Sequence, residues 1–234
     1  MHQHLVTAFE AAGRPAGPTL SGTSGHIVKF YHTDRHLTET VADFLADGVR
    51  GGQPLVVIAT EAHRRAFADA LRSRGLDMEE VLSDREVSWL DAREALESFM
   101  EGLHPNRDLF MATVGSVFER VLKKRYYLVV RGYGEMVDVL WKDGNTDGAI
   151  LVETLWNELA AKYSYSLLCA YSIDNFLHEG GAASLKCVCE HHSHALPLEL
   201  LPAAAQEPDR IRSLTTDSQA PHAPTTVHEA RLRH

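Results

Sequence analysis

The chain has 234 residues, 44% hydrophobic and 24% charged, the usage of a globular protein able to bury one good-sized core. Lys+Arg 23 against Asp+Glu 32 gives a net charge of −9, so the broad basic footprint of a nucleic-acid binder is missing and no direct nucleic-acid contact is expected. No run approaches the roughly 20 apolar residues that cross a bilayer, and three cysteines do not make a disulfide framework, so a cytoplasmic protein with reduced thiols is expected.

Residues 1–24, with GRPAGPTLSGTSG, offer little apolar surface and are expected to be a flexible segment. Residues 25–196 are expected to form one domain. Beyond them, residues 197–234 hold five of the nine prolines and follow the last aromatic residue, Phe176; a flexible polar tail is expected there.

Within the domain, β-rich runs alternate with helical periods. Residues 26–31 (HIVKFY) read as a strand, and Leu37, Val41, Phe44, Leu45 and Val49 then recur at helical spacing until Gly51 and Gly52. The continuous apolar run 54–60 (PLVVIAT) suits a strand buried on both faces of a parallel sheet. Phe67, Ala70 and Leu71 mark the next helix, which Gly75 closes.

A short strand follows at 87–90, then helical faces through Ala92, Ala95, Leu96, Phe99 and Met100 and through Phe110, Val114, Phe118 and Val121. Residues 126–132 (YYLVVRG) read as a fourth strand and 165–171 (YSLLCAY) as a fifth, with helices between them around Met136 to Leu140 and Ile150 to Leu159. Five β-runs joined by helical crossovers predict an open α/β, mostly parallel sheet of about five or more strands with helices on both faces. Ligands of such sheets bind at the carboxyl ends of the strands.

Those ends carry Tyr31-His32-Thr33-Asp34, Thr60-Glu61-Ala62-His63, Asp91, Arg131-Gly132-Tyr133-Gly134-Glu135 and Tyr171-Ser172. Thr33, Asp34, Thr60 and Asp91 each precede a helix, where capping of free amides outranks ligand contact. The two glycines around Tyr133 predict a loop of close backbone approach or positive φ, with Arg131 and Glu135 at its ends as an ion pair or as ligand contacts.

The segments HIVKFYHTDRHLTETVADFLADGVRGGQPLVVIATEAHRRAFADALRSRGLD, SWLDAREALESFM, VVRGYGEMVDVLWKDGN and LVETLWNELAAKYSYSLLCAY together resemble the MEDS domain family, the methanogen/methylotroph, DcmR sensory domain. The resemblance implies a sensory module, distantly similar to the RecA/KaiC-like ATPases, that binds a small organic, hydrocarbon-derived ligand. It also implies an output through a signalling partner such as a histidine kinase, an anti-sigma-factor-like protein or a transcription regulator. No output module is visible in the sequence, so output by protein contact is expected; a homo-oligomer is a further candidate partner, which the sequence does not decide.

A P-loop requires Gly-x-x-x-x-Gly-Lys-Ser/Thr after the first strand. The chain reads Tyr31-His32-Thr33-Asp34-Arg35-His36-Leu37-Thr38 there, without glycine or lysine, so a degenerate RecA-like fold is expected and enzymatic activity is not. Glu61 occupies the place after the second strand where related ATPases carry an acid that activates water; it is expected to be a relic or a ligand contact, with nucleotide binding as an alternative.

Tyr31, Tyr133, Trp141, Trp156 and Tyr171 fall near the expected ligand edge, and aromatics with a few polar groups are what an organic pocket needs. Helical spacing with Leu151, Leu155 and Leu159 assigns Trp156 to the core. The expected ligand set is Tyr31, His32, Thr60, Glu61, His63, Arg131, Tyr133, Glu135, Trp141 and Tyr171. A separate motif, Cys187-Val188-Cys189-Glu190-His191-His192-Ser193-His194, is dense in metal-binding groups. Were 183–195 helical, Cys187, His191 and His194 would share a face and could hold a metal ion or a heme edge, the alternative reading being a redox or gas sensor.

Overall fold

The computed structural model describes residues 25–83, 86–123, 125 and 128–196. The expectations for 1–24 and 197–234 lie outside the described residues.

Strand β1 (Gly25–Tyr31) leads into helix α1 (Asp34–Arg50), and β2 (Leu55–Ala59) into α2 (Glu61–Ser73) and the short α3 (Met78–Ser83). Next come β3 (Val87–Asp91), α4 (Ala92–Glu97), a small antiparallel pair β4 (Met100–Glu101) and β5 (His104–Pro105), and α5 (Arg107–Leu122). The remainder runs β6 (Val130–Gly134), α6 (Met136–Lys142), α7 (Thr146–Ala160), β7 (Tyr165–Ser172), a 3-10 turn (Ile173–Phe176), α8 (Gly181–Glu190) and β8 (His194–Leu196).

Six strands form one sheet in the order β3-β2-β6-β7-β1-β8, every pair parallel, which is a RecA-like α/β architecture. Side chains alternate across the sheet as strand geometry requires. Leu55, Val57 and Ala59 pack with Leu37, Phe44, Phe67 and Leu71 under α1 and α2. Val56 and Ile58 pack with Phe110, Phe118, Trp141 and Trp156 under α4 to α8. The connection after β2 runs outward to β3, whereas that after β6 runs the opposite way to β7, so the β2/β6 junction is a topological switch point.

Several expectations change. The segment 183–195 is not one helix: α8 stops at Glu190 and the chain re-enters the sheet at His194, opposite Ile27. Three residues of strand beside a helical period leave too little pattern to read. Phe99 and Met100 do not continue α4, because Met100 pairs with Pro105 in the small hairpin. The fourth strand is Val130–Gly134, the first two residues of the expected run 126–132 lying outside the described residues, so Gly132, Tyr133 and Gly134 are strand, not loop.

Neither Gly132 nor Gly134 has a positive φ. A Cβ on Gly132 would meet Leu167 Cδ1 at 3.0 Å, and one on Gly134 would lie 3.6 Å from Trp156 and 3.7 Å from Cys169 Sγ. These glycines admit bulky neighbours from β7 and α7.

Candidate functional site

At the switch point, Glu135 ends β6 and turns its carboxylate back instead of capping α6. It accepts from the Thr60 amide at 2.9 Å and from the Thr60 hydroxyl at 3.3 Å, and His63 Nδ1 lies 2.6 Å from Oε1. Thr60 therefore serves Glu135 and makes no side-chain cap on α2, whereas Thr33 caps α1 and Asp91 caps α4 as expected. Burial acts to lower the His63 pKa, but the hydrogen bond and charge of Glu135 outweigh it and the value is raised above 6.5. The other ring nitrogen of His63 is 3.6 Å from exposed Asp34.

Beside this set lies a second carboxylate. Asp138, 1% exposed, accepts from the Tyr31 hydroxyl at 2.7 Å, the Ser172 amide at 3.0 Å and Asn175 Nδ2 at 2.8 Å. Lys142, one turn further along α6, reaches Asp138 at 2.8 Å and donates to Tyr31 at 3.0 Å. Burial, then Asp138, pushes the Tyr31 hydroxyl far above its usual pKa.

The Tyr133 hydroxyl is fully buried among these groups and has no hydrogen-bond partner. Burial first, then Glu135, Tyr31 and Asp138, raises its pKa well above 10.0, so it stays a protonated donor without an acceptor. Its ring is held edge-on against Phe67, which in turn stacks on His63.

The structure thus gathers Tyr31, Thr60, His63, Tyr133 and Glu135 at one edge, and half-buried His32 follows Tyr31 directly. It does not gather the rest. Arg131 stands at the opposite end of β6, about 13 Å along the strand from Glu135. It is buried, donates to Gln53 at 2.9 Å, and lies 4.5 Å over the Phe44 ring, in room left by Gly48. Arg131 and Glu135 are therefore not an ion pair.

Glu61 faces solvent and pairs with Arg65 on the α2 surface. Trp141 packs on Tyr171 and Phe176 beneath α6, and the Tyr171 hydroxyl turns inward to Glu153 at 2.7 Å. Trp156 is core, 1% exposed. The residues that sequence reading missed are Asp138, Lys142 and Asn175. The signal for Asp138 was available: it is the one polar residue inside the apolar run 136–141.

The triplet Cys187, His191 and His194 does not share a helical face. Cys187 is half-buried on α8, its carbonyl accepting from His191 Nδ1 at 2.9 Å, whereas His194 belongs to β8 and contacts Ser193. A different group, His26, Glu153, Cys169 and His192, places four metal-binding atoms within 4.8 Å of one another.

The β1–α1 connection consists of His32 and Thr33 alone, a two-residue turn where a phosphate cradle uses a long glycine-rich loop. Among the described residues, no helix is long and apolar enough to cross a membrane.

A six-stranded parallel sheet flanked by helices, with buried, hydrogen-bonded acids at its switch point, defines a RecA-like α/β protein. A family model described as MEDS, MEthanogen/methylotroph, DcmR Sensory domain, matches residues 25–193, and the chain belongs to this family of sensory domains. No curated protein and no solved structure matches the chain.

Proposed function

We propose that this sensory domain takes up a small, neutral, hydroxyl-bearing organic molecule at the β2/β6 switch point and passes occupancy to a signalling partner protein. The observation that carries this reading is the Tyr133 hydroxyl, a buried donor with no acceptor, lying beside two carboxylates. Leaving a buried donor unmet costs about 1–3 kcal/mol. A ligand oxygen would accept from Tyr133, and its hydroxyl hydrogen would go to Glu135 or Asp138. His63 and Lys142 already contact those acids at 2.6 and 2.8 Å, which favours a neutral guest over an amine or an anion.

Access would come from the side of exposed Asp34 and half-exposed Lys142. Movement of Lys142 would pass along α6, which packs on α7 and β7, toward a surface read by the partner.

The test is thermal melting against short alcohols, aldehydes and amines, paired with native mass spectrometry of freshly purified protein. The expected result is stabilisation by a hydroxylated compound that disappears in Tyr133→Phe, whose ligand-free stability is not reduced. Equal stabilisation of Tyr133→Phe, or stabilisation by none of the series with no retained small molecule, would overturn the proposal.

A further inference from the structure

On the other face of the sheet, four elements bring ligand-type side chains to one point. His26 comes from β1, Cys169 from β7, Glu153 from α7, and His192 from the turn after α8. The His26, Glu153 and His192 side chains are 4%, 0% and 0% exposed, and Cys169 is fully buried. The His26 and His192 ring centroids are 4.1 Å apart.

The hydrogen bonds fix which ring nitrogens face inward. Asn157 donates its Nδ2 to the His191 carbonyl at 2.9 Å, so its Oδ1, 3.1 Å from His26 Nδ1, must accept. His192 Nδ1 likewise donates to the Val188 carbonyl at 2.7 Å. Each neutral ring then carries its hydrogen on Nδ1 and presents the Nε2 lone pair to the cluster. Outer bonds of this kind orient metal-binding histidines.

What converges is a set of acceptors. His26 Nε2 is 3.2 Å from Cys169 Sγ and 3.2 Å from Glu153 Oε2, and His192 Nε2 is 3.5 Å from Glu153 Oε1. Glu153 Oε2 and His192 Nε2 are both buried without a hydrogen-bond partner. Two lone pairs and a carboxylate share the Cys169 thiol hydrogen and the hydroxyl hydrogen that Tyr171 donates to Glu153 Oε1, fewer hydrogens than acceptors, an arrangement that a cation completes. In a tetrahedral zinc site with Zn–N near 2.0–2.1 Å and Zn–S near 2.3 Å, neighbouring donor atoms are about 3.3–3.6 Å apart. The three separations of 3.2–3.5 Å lie within about 0.4 Å of those edges, and all four ligand atoms lie within 4.8 Å of one another.

We infer that His26, Glu153, Cys169 and His192 form a closed structural Zn²⁺ site that ties the segment after α8 to the sheet. Binding converts the Cys169 thiol to a thiolate and releases its proton to solvent, with no change of oxidation state. One thiolate, one carboxylate and two neutral imidazoles cancel the dication, so no net charge is buried. Thiolate and imidazole donors select zinc over the oxygen-seeking magnesium or calcium.

The experiment uses the full chain without a polyhistidine tag, expressed in zinc-supplemented medium and, separately, refolded with Zn²⁺ or Co²⁺. Elemental analysis is expected to find about one zinc per folded chain, and the cobalt form a thiolate-to-metal charge-transfer absorption. Cys169→Ser abolishes that absorption, whereas Cys187→Ser leaves it intact. Asn157→Ala retains the absorption but weakens cobalt affinity about 10–100-fold, as loss of an orienting bond does. A natively folded wild-type chain that holds less than about a tenth of an equivalent after both treatments, or a charge-transfer signal that follows Cys187 instead of Cys169, overturns the inference. Both readouts are independent of the ligand at Glu135.

Discussion

Glu135 and Arg131 show how much one residue's neighbours decide. They stand four apart in a motif that reads as a charged loop, yet strand geometry sends them to opposite edges of the sheet. Arg131 becomes a packing residue whose stem and guanidinium cover Phe44. Arg131→Ala is expected to lower stability by about 1–3 kcal/mol in urea unfolding, Arg131→Met less, and neither to affect ligand-induced stabilisation. His63 carries a pH signature. Its folded pKa is raised above the unfolded 6.5, so its contribution is fully present below 6.5 and is lost as pH rises through the folded value. Melting temperatures across that window should fall more steeply for the wild type than for His63→Gln; parallel curves would show that the His63–Glu135 contact contributes nothing.

At the scale of elements, helical and strand periods in the long segments were legible because burial repeats the same spacing many times. α1, β2, α7 and β7 each follow their apolar pattern. Short elements were not. The β4–β5 hairpin and β8 hold two or three residues per strand, and their partners lie elsewhere in the chain or across a turn. The start of α8 depends on another such contact: a Cβ on Gly181 would overlap the Phe176 carbonyl oxygen. Gly181→Ala must therefore displace backbone, and a loss of about 1–3 kcal/mol is expected. Gly134→Ala, whose Cβ would meet only ordinary contacts, should cost far less in the same denaturation measurement.

Over the whole molecule, two apolar layers share one sheet, with alternate residues of the same strands feeding each. Neither layer can lose its sheet face without exposing the other, so unfolding should be cooperative. Trp89 packs on the α1–α2 layer and Trp156 is buried in the other. Variants retaining one or the other as the single tryptophan should give coincident fluorescence transitions; separated midpoints would mean that the layers melt independently.

Local pattern and composition were enough to establish an α/β chain of alternating strands and helices, the edge on which Tyr31, Thr60, His63, Tyr133 and Glu135 stand, and the family resemblance. Periodicity and turn chemistry are properties of neighbouring residues, so a linear reading reaches them. Partnership is different. That Asp138 joins Tyr31 and Ser172, that Arg131 settles on Phe44, and that His26 meets Cys169 across 143 residues were decided by strand order and register. Those contacts are made between segments far apart in sequence, and no local spacing encodes which of them will touch.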